Sequence, residues 1–182
     1  MEILTERLIL RPFEDGDLPA YSALNADPLV MQHYPNTYST AQSAASIERC
    51  RASWDNNGFA FSAVLDRETG CFLGLSGLSL FTADVPFAPA VEIGWRMVPS
   101  SWGKGLASEA ARAWLAFGFK SKGLDEIVAF TAHPNIPSQK VMKRIGMQRQ
   151  AAYDFDMPSL PVGHVLRPHL VYRMTRAQFD QG

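Results

Sequence analysis

The sequence has little of what marks secreted, membrane-bound or nucleic-acid-binding proteins. It contains two cysteines, Cys50 and Cys71, which predicts free thiols in a reducing compartment rather than a disulfide framework. It has no apolar run as long as a membrane span, and its first residues lack the apolar stretch of a signal peptide. We therefore expect a soluble, cytoplasmic protein with no membrane partner.

An excess of charge of one sign is also missing. The 17 Lys and Arg residues nearly balance the 18 Asp and Glu residues, giving a net charge of -1, and no basic run is present. Phosphate-backbone binding needs a basic surface, so we do not expect nucleic acid as a partner. The histidines lack metal-ligand spacing, so no metal site is predicted; they are His33, His133, His164 and His169. His33 and His164 are loop residues that could line a substrate entrance.

What is present is the composition of an ordinary globular protein. Apolar residues make up 47% of the chain and charged residues 19%, which predicts a sizeable core. The length fits one domain spanning residues 1–182, and no repeat or linker divides it.

Hydrophobic periodicity and turn residues predict a mixed α/β chain. The strands are expected near residues 8–10, 59–65, 71–80, 91–97, 127–132, 147–155 and 169–174. The helices are expected at 15–25, 40–58, 106–123 and 135–146, with Asp15, Ser39 or Thr40, and Asn135 as N-caps. The second and third strands should form an antiparallel hairpin, and the strand–helix–strand unit over 91–132 predicts a parallel pair.

The most informative segment is the glycine turn Trp102-Gly103-Lys104-Gly105-Leu106-Ala107. Its glycines remove Cβ atoms at a sharp bend, and free N–H groups at a helix start favour an anion such as a diphosphate. The same spacing also fits a plain strand-to-helix turn. The Walker pattern is not matched, nor is the dinucleotide pattern, which needs a glycine where Ser108 stands.

This segment resembles the cofactor signature of the GNAT acetyltransferases, which reads Arg or Gln, two residues, Gly, one residue, then Gly or Ala. Gly105 and Ala107 match the last two elements, while Trp102 stands where Arg or Gln is usual. The whole stretch of residues 99–110 is similar to the version in the RimJ/RimL-type branch. Residues 5–12, and Asn135-Ile136-Pro137-Ser138 with Gly146-Met147, are similar to other elements of that branch.

The resemblance implies a central mixed sheet, antiparallel at first and then parallel at a V-shaped splay that holds acetyl-CoA as co-substrate. Backbone groups of Trp95 and Met97 would pair with the pantetheine arm and thioester, and the amides of residues 103–107 would hold the pyrophosphate. The implied cofactor-binding residues are Trp95, Met97, Trp102, Gly103, Lys104, Gly105, Leu106, Ala107, Asn135 and Ser138. Lys104 adds charge there or is simply solvated.

Acetylation of an amine needs a proton acceptor, a donor to the thioester carbonyl and an acid for the departing thiolate. Glu92 lies at the spacing before Gly105 where some GNAT enzymes carry a glutamate base, and we expect it to act through water. The alternative is an ion-paired or solvent-facing strand residue. The resemblance implies that Ser138 protonates or stabilises the thiolate; the alternative is a serine that satisfies the helix start. Asn135 would both cap the helix and contact the pantetheine.

The predicted function is transfer of an acetyl group from acetyl-CoA to a primary amine by direct attack in a ternary complex. The amine belongs to a protein N-terminus or a small molecule, and the sequence does not select between them. The alternative is a non-catalytic acyl-CoA-binding or interaction module with a GNAT-like fold. The oligomeric state is left open, with a homodimer among the options.

Overall fold

The centre of the molecule is a nine-stranded sheet in a computed structural model that describes residues 1–181. The strands are β1 (Ile3–Leu4), β2 (Leu8–Arg11), β3 (Phe61–Asp66), β4 (Phe72–Phe81), β5 (Ala90–Met97), β6 (Glu126–Ala132), β7 (Gln148–Arg149), β8 (Phe155–Asp156) and β9 (Pro168–Thr175). The helices are α1 (Leu18–Ala26), α2 (Thr40–Asn57), α3 (Leu106–Ala116), α4 (Ile136–Arg144) and α5 (Arg176–Asp180).

The strand order confirms the predicted mixed α/β class. Neighbouring strands follow the order β1-β2-β3-β4-β5-β6-β9-β7, with β8 also paired to β9. β5 and β6 are parallel, whereas the other pairs are antiparallel. The sheet is thus antiparallel up to β5 and has its parallel pair in the middle.

The parallel pair is splayed. β5 pairs with β4 from Gly74–Met97 to Phe81–Ala90, but it pairs with β6 at one position, Glu92 with Val128. β6 uses its other edge to pair with β9 along its whole length. The carboxyl halves of β5 and β6 therefore leave a gap between them in the middle of the sheet.

Helices cover the two faces of the sheet with separate cores. On one face α3 buries Ala110, Trp114 and Leu115 against Ile93 and Met97 of β5. On the other face α1 and α2 pack Tyr21, Leu24 and Ile47 against Ala63 and Leu75. Because side chains alternate along a strand, Glu92, Gly94 and Arg96 of β5 point to the α1/α2 face.

Most predicted helix caps are present. Ser39 accepts the Gln42 N–H at the start of α2, and Gly58 ends that helix in the left-handed conformation. Asn135 accepts the Ser138 N–H at the start of α4, and Gly146 follows its end with φ 88°.

Two local predictions were wrong. Asp15 does not cap the first helix: residues Asp15–Asp17 form a 3-10 turn, and Asp17 is the N-cap of α1. The buried Asp17 carboxylate is held by Arg11 at 2.7 Å and by the Glu14 N–H at 2.8 Å, which fixes where the turn ends.

The strand expected over 147–155 is two short strands, β7 and β8, separated by the 3-10 turn Ala151–Tyr153. Asp154 follows this turn and accepts the Val171 N–H of β9 at 3.1 Å. The Val171 N–H is therefore bonded to a side chain, and not to the backbone of a neighbouring strand, at the point where the expected strand is interrupted.

Candidate active site

A cavity of about 850 Å³ occupies the gap between β5 and β6 and reaches both faces of the sheet. On the α3/α4 face its wall includes residues of the glycine turn and of the start of α4. On the α1/α2 face it includes residues of α2 and of the loop between α1 and α2. Two ligands that enter from opposite faces can therefore meet inside the sheet.

The glycine turn presents a row of free N–H donors. Gly103 and Gly105 have φ values of 74° and 79°, which L-residues with a Cβ adopt rarely, and Gly105 is the N-cap of α3. In the described chain, the amides of residues 103–108 have no hydrogen-bond acceptor, and the first helical bond of α3 is Glu109 N–H to Gly105 C=O. Unpaired amides at the positive end of a helix form an anion-binding site.

Further polar groups around this turn fit a polyanionic ligand. The Ser108 hydroxyl is buried and lacks a hydrogen-bond partner among the described residues. Lys140 and Arg144, on α4, line the same cavity. A diphosphate at the turn therefore has both donors and positive charge within the wall.

The N-terminal segment fixes the glycine turn, which sequence reasoning did not anticipate. Arg7 donates to the Lys104 carbonyl at 3.1 Å and to Glu109, in the first turn of α3, at 2.7 Å. The Thr5 hydroxyl donates to the same carboxylate at 2.6 Å. The signal in the sequence is the Thr5-Glu6-Arg7 motif, which is part of the stretch of residues 5–12 that resembles the RimJ/RimL-type branch.

Trp102 and Met97 contact each other at the entrance of the turn. The Trp102 indole N–H donates to the Met97 carbonyl at 2.8 Å, while 43% of the residue's surface is exposed. Both residues line the cavity, as do Trp95, Leu106 and Ala107. The Met97 carbonyl thus already has one internal donor.

Lys104 is the predicted site residue that is not brought to the cavity wall. It borders a separate depression together with Arg7, Arg67 and Glu68. Its side chain is exposed there, which matches the solvated alternative for this residue.

Asn135 and Ser138 lie on the α3/α4 side of the cavity. The Asn135 side chain accepts the Ser138 N–H at 3.2 Å and donates to Thr131 Oγ1 at 2.9 Å. The Ser138 hydroxyl makes no hydrogen bond within the described residues, so it is not the group that caps α4. Its O–H is therefore available to a ligand in the cavity.

Glu92 lies where β5 and β6 part, on the α1/α2 face. It is opposite Ser79 on β4 and Val128 on β6, and Phe81 and Phe130 also line the cavity there. Burial raises the pKa of its carboxyl from 4.5 to about 7. A carboxyl with this pKa changes charge near neutral pH, as a general base requires.

A second titratable group in the cavity is His169 of β9, which sequence reasoning treated as one of several scattered histidines. Its Nδ1 donates to the Arg167 carbonyl at 3.0 Å, because a carbonyl oxygen can only accept. Burial lowers its pKa from 6.5, so the ring is neutral at pH 7. Nε2 then carries a lone pair.

Phe81 lines the cavity. Of the two histidines expected at the substrate entrance, His33 lines the cavity and His164 does not. Phe87 and Tyr153 do not line it either, but the Phe87 ring stacks 5.8 Å from that of Phe81. Trp54 packs with Trp114 in the core below α3.

No group of three or more His, Cys, Asp or Glu residues within residues 1–181 could hold a metal ion. No helix in the described range has the length and apolar character to cross a membrane.

A splayed parallel pair with an anion-binding turn on one face and a second chamber on the other defines a cleft that can hold two ligands. Comparisons with known proteins identify the family. A family model described as acetyltransferase (GNAT) domain matches residues 7–148. YnaD of Bacillus subtilis, named an uncharacterized N-acetyltransferase, is 34% identical over 158 residues, or 87% of this chain and 89% of the relative.

Solved structures of acetyltransferases also match this chain. A GNAT-family acetyltransferase from Bacillus anthracis matches with a TM-score of 0.80 and 28% identity over 97% of this chain and 99% of the other. A RimL ribosomal L7/L12 alpha-N-protein acetyltransferase in complex with coenzyme A matches with a TM-score of 0.77 over 96% and 98% of the two chains. Its identity is 16%, so it shows a shared fold. The chain belongs to the GNAT acetyltransferase family.

Proposed function

We propose that this protein transfers an acetyl group from acetyl-CoA to a primary amine, on a protein N-terminus or a small molecule, by direct attack in a ternary complex. The observation that carries the proposal is the continuous cavity. It joins the free amides of the glycine turn on one face to a chamber on the opposite face, with Glu92 at the junction.

Acetyl-CoA supplies the acetyl group as a thioester. The amides of Gly103, Lys104, Gly105, Leu106 and Ala107 bind the pyrophosphate. Lys104 contributes through its backbone, since its side chain lies away from the cavity.

The pantetheine arm lies along the free edge of β5. The backbone of Trp95 and the Met97 amide bind it there, and Trp102 covers the entrance. Asn135 holds the start of α4 in place and contacts the arm from the other side.

Two residues on opposite faces of the sheet act on the reacting groups. Glu92 accepts the proton of the attacking amine through a water molecule, because its raised pKa allows it to gain and release a proton near neutral pH. The Ser138 hydroxyl donates a hydrogen bond to the leaving sulfur and so stabilises the departing thiolate, and its lack of an internal hydrogen-bond partner supports this role.

We also place the protein in the RimJ/RimL-type branch, as a single domain over residues 1–182 that works in the cytoplasm. The branch assignment is supported by the motifs at residues 5–12, 99–110 and 135–147, and by the fold shared with RimL.

The first test is binding of coenzyme A, measured by titration calorimetry and by thermal shift. Gly105→Asp places a side chain and a negative charge at the turn, and we expect its Kd for coenzyme A to rise by about tenfold or more, because the carboxylate repels the pyrophosphate and obstructs its charge-assisted hydrogen bonds to the turn amides. Gly70→Asp is the matched control: Gly70 has φ 70° and open space around its Cβ position, so the backbone strain is similar, but it lies in the β3–β4 hairpin. Equal affinity in a folded Gly105→Asp protein would contradict the proposed pyrophosphate site.

The second test separates an enzyme from a binding module. Release of free thiol from acetyl-CoA is followed across a panel of amines. Binding of coenzyme A without thiol release above the rate in buffer would favour the non-catalytic alternative.

A further inference from the structure

The chamber on the α1/α2 face contains a positive charge without a carboxylate partner. Arg96 of β5 donates through Nη1 to the Asn25 side chain, and its Cζ lies 4.1 Å from the ring centroid of Tyr34. The ring centroid of Tyr38 lies 5.9 Å from the same atom. None of the ion pairs formed within residues 1–181 includes Arg96. All these partners are neutral.

The hydrogen bonding of this guanidinium is also incomplete. Nε is buried and has no partner among the described residues. Nη2 forms no hydrogen bond with the described residues and is not among the fully buried atoms, and Arg96 is part of the cavity wall. A guanidinium remains charged at every ordinary pH, and a buried charge is normally paired. The missing partner is therefore an anion that comes from the cavity.

Arg96 is held in place before any ligand arrives. Asn25 is fully buried, and its Nδ2 donates to Ser43 of α2 at 3.0 Å while its Oδ1 accepts from Arg96. The side chain is thus fixed between α1, α2 and β5. A preorganised cation loses little entropy when it binds an anion.

Arg96 and Glu92 project from the same face of β5 and are about 13 Å apart along the strand, at about 3.3 Å per residue. Gly94 lies between them, and the Phe61 ring would be 2.9 Å from a Cβ at that position. Phe61 therefore covers the strand between the two charged groups. Along the chamber floor, the carboxyl of Glu92 is thus followed by the ring of Phe61 and then by the guanidinium of Arg96.

Apart from Glu92, the other charged groups of the wall have the same sign as Arg96. Arg49 of α2 lines the chamber too, and Glu92 is the one carboxyl group on the cavity wall formed by the described residues. The far end of the chamber is consequently positive, and its reacting end carries the acid.

We propose that the acceptor is an amine with an anionic group, a carboxylate or a phosphate, at the end remote from the nitrogen, and that Arg96 binds this group. The inference rests on the proposed acetyl transfer and names the class of acceptor for it. The amine lies at Glu92, the carbon skeleton crosses the Phe61 ring, and the anion contacts Nη2 of Arg96 beside Tyr34.

The experiment compares matched pairs of acceptors with saturating acetyl-CoA. One arm uses linear amino carboxylates of increasing chain length against the corresponding amides, and the other uses aminoalkyl phosphates against amino alcohols. In the parent protein, kcat/KM should favour the anion by about tenfold or more in one arm, because a hydrogen bond to a charged group is stronger than one to a neutral group. The arm that shows the preference identifies the anion.

The variant Arg96→Gln should remove this preference, measured as the ratio of kcat/KM between the charged and the neutral member of each pair. Arg96→Lys keeps a charge but loses the guanidinium geometry, so it should retain part of the preference if the glutamine variant does not fold. Arg51→Gln, on the exposed side of α2, is the control and should behave like the parent.

Binding is measured in parallel by titrating the same compounds into the complex with coenzyme A. Equal kcat/KM values, or equal or absent binding of the charged and neutral members, would overturn the proposal. Failure of the proposed function itself is distinguished by the titration with coenzyme A alone, which does not depend on the acceptor.

Discussion

Replacing Glu92 by Gln tests the proposed base through its pH dependence. Since burial raises the pKa of this carboxyl to about 7, the group is mostly protonated below that pH and cannot accept a proton. An alkyl amine loses its own proton only near pH 10. Between about pH 7 and 10, therefore, the carboxylate is ionised while most of the amine is still protonated, and a base accelerates the reaction. We expect kcat/KM of Glu92→Gln to be lower by about tenfold or more in this window and closer to the parent on either side.

The same substitution has a stability signature with a definite sign. The folded-state pKa of about 7 lies above the unfolded value of 4.5, so the protonated carboxyl contributes stability below pH 4.5 that is lost as the pH rises through 7. The gap of about 2.5 pKa units corresponds to roughly 3 kcal/mol, at about 1.36 kcal/mol for each unit. Glutamine does not ionise, so the variant should gain stability relative to the parent as the pH rises from about 5 to about 9.

Two measurements check this reasoning. The first is kcat/KM of both proteins from about pH 6 to 10.5, which brackets the two ionisations. The second is urea unfolding near pH 5 and near pH 9, with Glu126→Gln as a carboxyl control outside the cavity. A rate ratio that does not change with pH would remove Glu92 as the base and leave water or the neutral ring of His169. A stability difference that is equal at both pH values would show that the carboxyl is not desolvated.

Two further predictions concern the cofactor side. Ser138→Ala should lower kcat by about tenfold or more and change the free energy of unfolding by less than about 0.5 kcal/mol, because its hydroxyl does not cap α4. Asn135→Ala removes the cap and should instead lower the free energy of unfolding by about 1 kcal/mol. The reverse pattern would show that Ser138 has a structural role. Arg7→Met should raise the Kd of coenzyme A several-fold and change kcat little at saturating acetyl-CoA, since Arg7 holds the Lys104 carbonyl and Glu109. Arg51→Gln is the control. If the Kd of Arg7→Met is no higher than that of the control, Arg7 does not position the turn.

Features set by neighbouring residues could be predicted from the sequence. The β3–β4 hairpin, the glycine turn before α3 and the Asn135 cap depend on periodicity, on φ preferences and on side chains that reach three residues along the chain. Each is found as predicted. The roles of Glu92 and Ser138 in catalysis stay predictions.

Features that depend on distant residues could not be predicted in this way. Arg7 and Glu109 are 102 residues apart, and Arg96 and Asn25 are 71 apart, so no local pattern links them. The error at Asp15 has a different origin: Arg11 and Asp17 are only 6 residues apart, but their ion pair, which no helix periodicity indicates, fixes the turn there. A carboxylate near a helix start is a good N-cap candidate, but an ion pair at a nearby residue can move the helix start, as Arg11 does through Asp17.

The ligand cleft and the raised pKa of Glu92 have one structural cause. β5 and β6 separate immediately after the pair formed by Glu92 and Val128, which opens the sheet to ligands. At that point the rings of Phe81 and Phe130, 4.6 Å apart, lie on the face to which Glu92 points, so the carboxyl borders the opening while it is shielded from bulk water. A fully paired β5 and β6 would close the cavity and leave Glu92 without an adjacent ligand. The divergence of two strands thus makes the space for the acyl donor and also places a carboxyl that titrates near neutral pH beside it.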